Sequence, residues 1–272
     1  MWILCLVIVI STEPDRVSNN LILQGMDFFE KVVVDIEIHS ASGIKQCFEN
    51  GVNPNEIYRG KPLVFELITG YLRSEAFTDC MQAFVDNGLE FEDPLLLAVM
   101  LDDAETLKRL LLRNPPLLFK KYTLDAAFTP LEEVTLLHLC AEYNRISCAG
   151  VLVESGAEVN ARAGVDQYGF GGQTPIFHTV NQHRNACLDT MKFLVSEGAD
   201  LHYTVKGLLW GKGHEWETYV PAVNPVSYAM MGLLRQFQRT EEDIYKVVSV
   251  LMKEAYGIDY MPQNVPNRYL MG

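Results

Sequence analysis

The sequence predicts an all-α chain built as a linear array of about six helix pairs, and three observations carry that expectation. First, a pair of apolar residues stands four and three positions before a glycine in four places. They are Cys47 and Phe48 before Gly51, Phe84 and Val85 before Gly88, Leu152 and Val153 before Gly156, and Leu194 and Val195 before Gly198. Second, two looser copies put Leu110 and Leu111 before Asn114 and Leu251 and Met252 before Ala255. Third, residues 135–161 and 174–201 run in one order: a threonine, an apolar helix, a polar turn, a second apolar helix, then Gly-Ala-acid.

Each element has a local cause. Residues 26–50, which open on MDFFEKVVVDIEIHSASG, form the first helix pair and close that end of the array. Pro62, Pro94 and Pro175 suit a first helical position, where the missing N–H would have no partner. Thr135 and Thr174 are placed to cap first helices. Behind Thr135, residues Leu136, Leu137, Leu139, Cys140 and Ala141 supply an apolar face, and Ala141 is small enough to let helices approach closely. A glycine just past a helix takes the left-handed conformation that satisfies the last carbonyls. Asn114 is the next-best residue there, whereas a left-handed Ala255 costs on the order of 1 kcal/mol, so the last pair is expected to end differently. Residues 259–272 carry two prolines and no periodicity and read as a tail.

The stretch from Thr135 to Ala161 resembles the ankyrin repeat family in unbroken register, and Gly51-Val52-Asn53-Pro54-Asn55 and Gly198-Ala199-Asp200 echo the family's ending. The resemblance covers roughly residues 30–258 and implies an ankyrin-repeat solenoid: stacked helix pairs with projecting turns or hairpins, long inter-repeat insertions, and protein binding as the task. It also implies that His138 makes a structural hydrogen bond to Thr135 or a neighbouring turn. The markers depart from the family period of about 33 residues, with spacings of 37, 26, 42, 42 and 57.

Composition narrows the function. The chain has 272 residues, 49% hydrophobic and 21% charged, which suits a folded core. A net charge of −13 disfavours a nucleic-acid backbone. Six cysteines spread singly point to buried thiols rather than disulfides or a metal site. Residues 1–25 begin MWILCLVIVI, too short to span a bilayer. They read as a false or extended start, an export signal, or an apolar segment on the body, and the expected location is cytoplasmic unless the second holds. The array proper is expected over residues 26–258, as a monomer without cofactor or metal.

Repeat arrays carry their added loops on one face, and that face often binds. The insertions are residues 115–134, 162–173 and 202–221. The last holds Tyr203, Trp210, His214, Trp216 and Tyr219, and the second holds Tyr168 and Phe170. Aromatics on glycine-rich loops supply large contact area at small entropy cost, so these seven residues are the candidate partner-binding set of a non-enzymatic scaffold. Trp210 and Trp216 have the alternative of folding back over the concave face. The rival reading is a small-molecule binder or enzyme with a pocket beneath the 202–221 loop, using His214, Glu215, Asp166 and Tyr168. The glycine run 169–172 before Thr174 lacks the Gly-Lys-Ser/Thr of a phosphate loop and reads as a tight turn. Glu90, Glu92, Asp93, Asp102, Asp103 and Glu105 read as a solvated acidic face.

Overall fold

A computed structural model describes residues 27–126, 129–231 and 239–262. The N-terminal segment 1–25 and the tail beyond residue 262 lie outside the described residues. Among those described, the helices follow one another in pairs. These are α1 (Phe28–Glu37) with α2 (Ala41–Glu49), α3 (Val64–Thr69) with α4 (Phe77–Asp86), α5 (Pro94–Leu101) with α6 (Ala104–Arg113), and α7 (Leu136–Tyr143) with α8 (Ile146–Glu154). A 3-10 turn (Pro175–His178) then pairs with α9 (Leu188–Ser196), and α10 (Pro225–Ala229) with α11 (Glu241–Tyr256). Each pair packs against the next. No helix among the described residues is long and apolar enough to cross a membrane.

The all-α expectation needs amendment, because three two-stranded antiparallel sheets link the pairs: β1 (Ile57–Tyr58) with β2 (Lys61–Pro62), β3 (Lys121–Leu124) with β4 (Leu131–Thr135), and β5 (Val205–Trp210) with β6 (Thr218–Val223). Two of the insertions are therefore hairpins rather than loops. Val205, Leu208, Trp210, Val220 and Val223 are buried, and the β5–β6 register sets Val205 opposite Val223 and Trp210 opposite Thr218.

The four marker glycines are left-handed, with φ of 97°, 90°, 94° and 87° at Gly51, Gly88, Gly156 and Gly198. The two looser markers behave differently. Asn114 has φ −143°, since Pro115 behind it disfavours the helical region and opens a 3-10 helix instead. Ala255 stays inside α11, and Gly257, at φ 71°, ends the helix two residues later. Pro94 and Pro175 open helical turns as expected, but Pro62 lies in β2. Thr174 makes no cap: its hydroxyl is buried without a partner. Within the acidic cluster, Asp93 and Asp103 cap α5 and α6, which places half-buried carboxylates in structural roles rather than on a solvated face.

Two kinds of side-chain tie hold successive pairs in register. Asn55 donates to Gly88 O at 2.9 Å and accepts from Glu90 N at 2.7 Å, and Asn160 does the same with Gly198 O at 3.0 Å and Asp200 N at 2.8 Å. Left-handed residues in the helix-to-helix turns reach the start of the next pair's second helix. His39 bonds the Ser74 hydroxyl at 2.8 Å, Asp102 accepts from Cys148 N at 2.8 Å, Asn144 accepts from the Thr190 hydroxyl at 2.7 Å, and Asn185 donates to Asp243 O at 2.8 Å.

A third tie skips a pair. The Tyr143 hydroxyl donates to Ile68 O at 2.5 Å, Arg145 donates to the Thr78 hydroxyl at 2.6 Å, and Arg73 donates to Glu142 at 3.0 Å. Glu142 is 1% exposed and accepts further bonds from His178 Nδ1 at 3.1 Å and from the Thr129 hydroxyl and Gln182 amide at 3.2 Å each. Burial alone would raise its pKa; Arg73 and the His178 bond outweigh that and hold the carboxylate below its usual range.

Candidate protein-binding face

Two neighbouring segments present the aromatic residues. The first is the loop 162–173. Asp166 Oδ1 accepts the N–H groups of Tyr168 and Phe170 at 2.9 Å each, an Asx turn that leaves Tyr168 exposed and Phe170 half-buried. Gly171 N donates to Gly207 O at 2.8 Å and Gly172 N to Gly164 O at 2.8 Å, so the loop is fastened to itself and to β5. Gly171 has φ 104°, and a Cβ there would lie 2.4 Å from Gly164 O; no other residue fits. These same bonds spend the loop's amides internally, which leaves no anion cradle in the glycine run.

The second segment is the β5–β6 hairpin. The Tyr219 ring lies across Gly207, where a Cβ would come within 2.4 Å of it, and the Trp216 ring lies across Gly211, where the distance would be 2.0 Å. Two glycines on one edge thus allow two rings to lie flat on the hairpin. His214 stacks on Trp216 with centroids 4.8 Å apart and planes 14° off parallel.

The rings of the two segments meet. Phe170 lies 6.1 Å from Tyr168 and 4.8 Å from Tyr219, centroid to centroid, and Lys206 Nζ stands 5.3 Å over Phe170 while bonding Tyr168 O. Tyr203 is half-buried beneath the Arg162 guanidinium, 4.6 Å from its centroid. Tyr168, Tyr219 and Trp216 are 61%, 48% and 41% exposed, so this side of the molecule leaves three aromatic rings open to solvent.

Trp210 does not belong to this face. It is 2% exposed, its Nε1 donates to the Tyr228 hydroxyl at 2.9 Å, and its ring packs against Tyr228 inside the core. Position 210 is buried at the end of β5 while position 216 lies in the hairpin tip, so the two tryptophans divide between core and surface.

The rival enzymatic set is not gathered in one place. A cleft of about 280 Å³ between the β3–β4 hairpin and the two aromatic segments is lined by Asp166, Gln173, Glu132 and Lys212, but not by Tyr168, His214 or Glu215. Its charged groups are engaged: Lys212 pairs with Glu132 at 3.0 Å, and Asp166 serves its turn. The histidines are dispersed: His178 stands against Glu142, His202 bonds Ala255 O at 3.1 Å, and His214 stacks on Trp216.

His138 takes the structural role that the resemblance implies. Its Nε2 donates to Gln173 O at 3.0 Å, so its Nδ1 is the acceptor for Thr135, at 2.8 Å from the hydroxyl and 3.2 Å from the amide. Burial, reinforced by the neighbouring His178, pushes its pKa well down and keeps it neutral. Sequence reasoning missed the Glu142 cluster. Glu142 is the one acid in LLHLCAEY, a helix buried along its whole length, but its partner Arg73 lies 69 residues away.

Residues 132–163, from β4 through α8 to the turn beyond it, match the ankyrin repeat family. Among curated proteins no match to the chain is found.

Proposed function

We propose, from the ankyrin repeat that the chain carries at residues 132–163, that the protein is a non-enzymatic interaction module that captures another protein on the face made by loop 162–173 and the β5–β6 hairpin. Ankyrin repeats are in general protein–protein interaction modules. The observation that carries the finer reading is the exposed pair Tyr168 and Tyr219 bridged by the half-buried ring of Phe170, with Trp216 beside His214 at the hairpin tip. Rings fixed by glycine contacts and an Asx turn lose little freedom on binding, which is the economy that interface hot spots exploit. The six helix pairs then act as one array of diverged units whose function is to hold these two segments rigidly side by side. The repeated asparagine ties at Asn55 and Asn160 support that reading.

The test is affinity purification of tagged protein from its native cell, comparing wild type with a Tyr168→Ala, Trp216→Ala, Tyr219→Ala variant by mass spectrometry. A protein captured by the wild type and lost from a folded variant identifies the partner and its site. Capture of the same proteins by both overturns the assignment of this face.

A further inference from the structure

We propose that the protein also holds a small oxyanion, a carboxylate or phosphate of metabolite size, in a pocket remote in sequence from the aromatic face. The pocket, about 220 Å³, forms where the helix-to-helix turns of the second, fourth and fifth pairs meet, and Arg73, Ser74, Glu75, Asn144 and Arg145 contribute its polar groups. The second pair has a long turn, residues 70–76, which crosses the third pair to reach the fourth, and this crossing creates the pocket.

The argument rests on unspent donors. Arg145 is 7% exposed, and among the described residues its guanidinium makes one hydrogen bond, Nη1 to the Thr78 hydroxyl. Its Nε is buried with no acceptor, and among the described residues no carboxylate stands within ion-pair distance. Asp102, the acid that most favours its charge, is committed to the N–H groups of Ser147 and Cys148. Arg73, also 7% exposed, gives Nε to Glu142 and Nη1 to the carbonyls of Gly70 and Leu72, which leaves Nη2.

A buried guanidinium is costly unless its donors are met, and planar forks of this kind match carboxylate and phosphate oxygens. The local potential agrees: His39, bonded to Ser74, is pushed down to about 4 by burial and then by Arg73 and Arg145. The thiol of Cys187, on the pocket wall, is raised by burial and stays neutral, so it does not compete for the cations. Glu75 is the acidic side chain on the wall, and it opposes the anion.

The experiment uses the full chain and inorganic phosphate, with acetate as the carboxylate probe and sodium chloride at matched ionic strength as control. Nitrogen-resolved spectra of the arginine Nε–H groups and calorimetric titration are the readouts. The expected result is a saturable shift of the Arg145 Nε–H resonance, binding about tenfold or more weaker in Arg145→Gln, and tighter binding in the surface variant Glu75→Gln. Should Arg145→Gln fail to fold, the wild-type resonance and Glu75→Gln decide: a saturable shift with tighter binding supports the pocket. A resonance that follows ionic strength alone, or titrations that neither variant alters, overturns it.

Discussion

His39 shows how much one turn residue can carry. It adopts φ 53°, bonds Ser74, and has its pKa depressed from 6.5 to about 4, chiefly by burial. The unfolded chain therefore takes up a proton near pH 6.5 that the folded chain refuses until about pH 4. Stability is full above pH 6.5 and falls as pH drops through that window, by on the order of 1 to 3 kcal/mol from this residue. His39→Asn, which tolerates the left-handed backbone, is expected to flatten that slope in denaturant midpoints measured between pH 4 and 7; the buried His138 contributes the part that remains. Glu142→Gln is expected to cost about 3 to 5 kcal/mol, because it leaves the Arg73 charge buried without its partner. Urea unfolding at neutral pH measures this. The two tryptophans should separate sharply: Trp210→Ala loses about 3 to 5 kcal/mol of core packing, while Trp216→Ala, on an exposed tip, should shift the melting temperature little.

Among the elements, the helices were legible in the residues themselves, whereas the hairpins stood only as an implication of the resemblance, turns or hairpins between pairs. Gly51, Gly88, Gly156 and Gly198 end their units because the left-handed backbone is a local demand, visible without any knowledge of the fold. Residues 205–210 and 218–223 read as loop because Gly207 and Gly211 interrupt the apolar alternation, yet both glycines exist to admit the rings of Tyr219 and Trp216. The proposed face was half legible for the same reason: its residue types stand out, but only the folded hairpin shows that Trp210 is buried. Burial of Glu142 depends on Arg73, 69 residues away, and no local pattern could supply it. Gly171→Ala is expected to unfasten loop 162–173 from β5, since its Cβ would meet Gly164 O, and to weaken partner capture while the helices persist. Circular dichroism alongside the capture assay checks both halves. Asn160→Ala removes both hydrogen bonds to the next pair and should cost about 1 to 3 kcal/mol in urea unfolding.

At the scale of the whole molecule, an array of helix pairs ordinarily behaves as a one-dimensional chain in which each unit knows only its neighbours. The links from Arg73, Ile68 and Thr78 to Glu142, Tyr143 and Arg145 make this molecule an exception, since they join the second pair directly to the fourth. The second, fourth and fifth pairs should therefore open as one cooperative block. Native-state hydrogen exchange is the measurement: amides of α4, α7 and residues 174–182 are expected to share one opening free energy, and Arg73→Ala to split them into separate groups.

The crossing turn also constrains how this architecture can change through time. Repeat proteins lengthen and shorten by duplicating or losing whole units, since a new copy finds the same neighbour surface on either side. Here the reach of residues 70–76 spans a single intervening pair. A second copy of the third pair would carry Glu142 and Arg145 out of range, and loss of the third pair would drive the turn into the fourth. The number of pairs between the second and the fourth is thereby held at one, while the hairpins and the ends of the array stay free of this constraint.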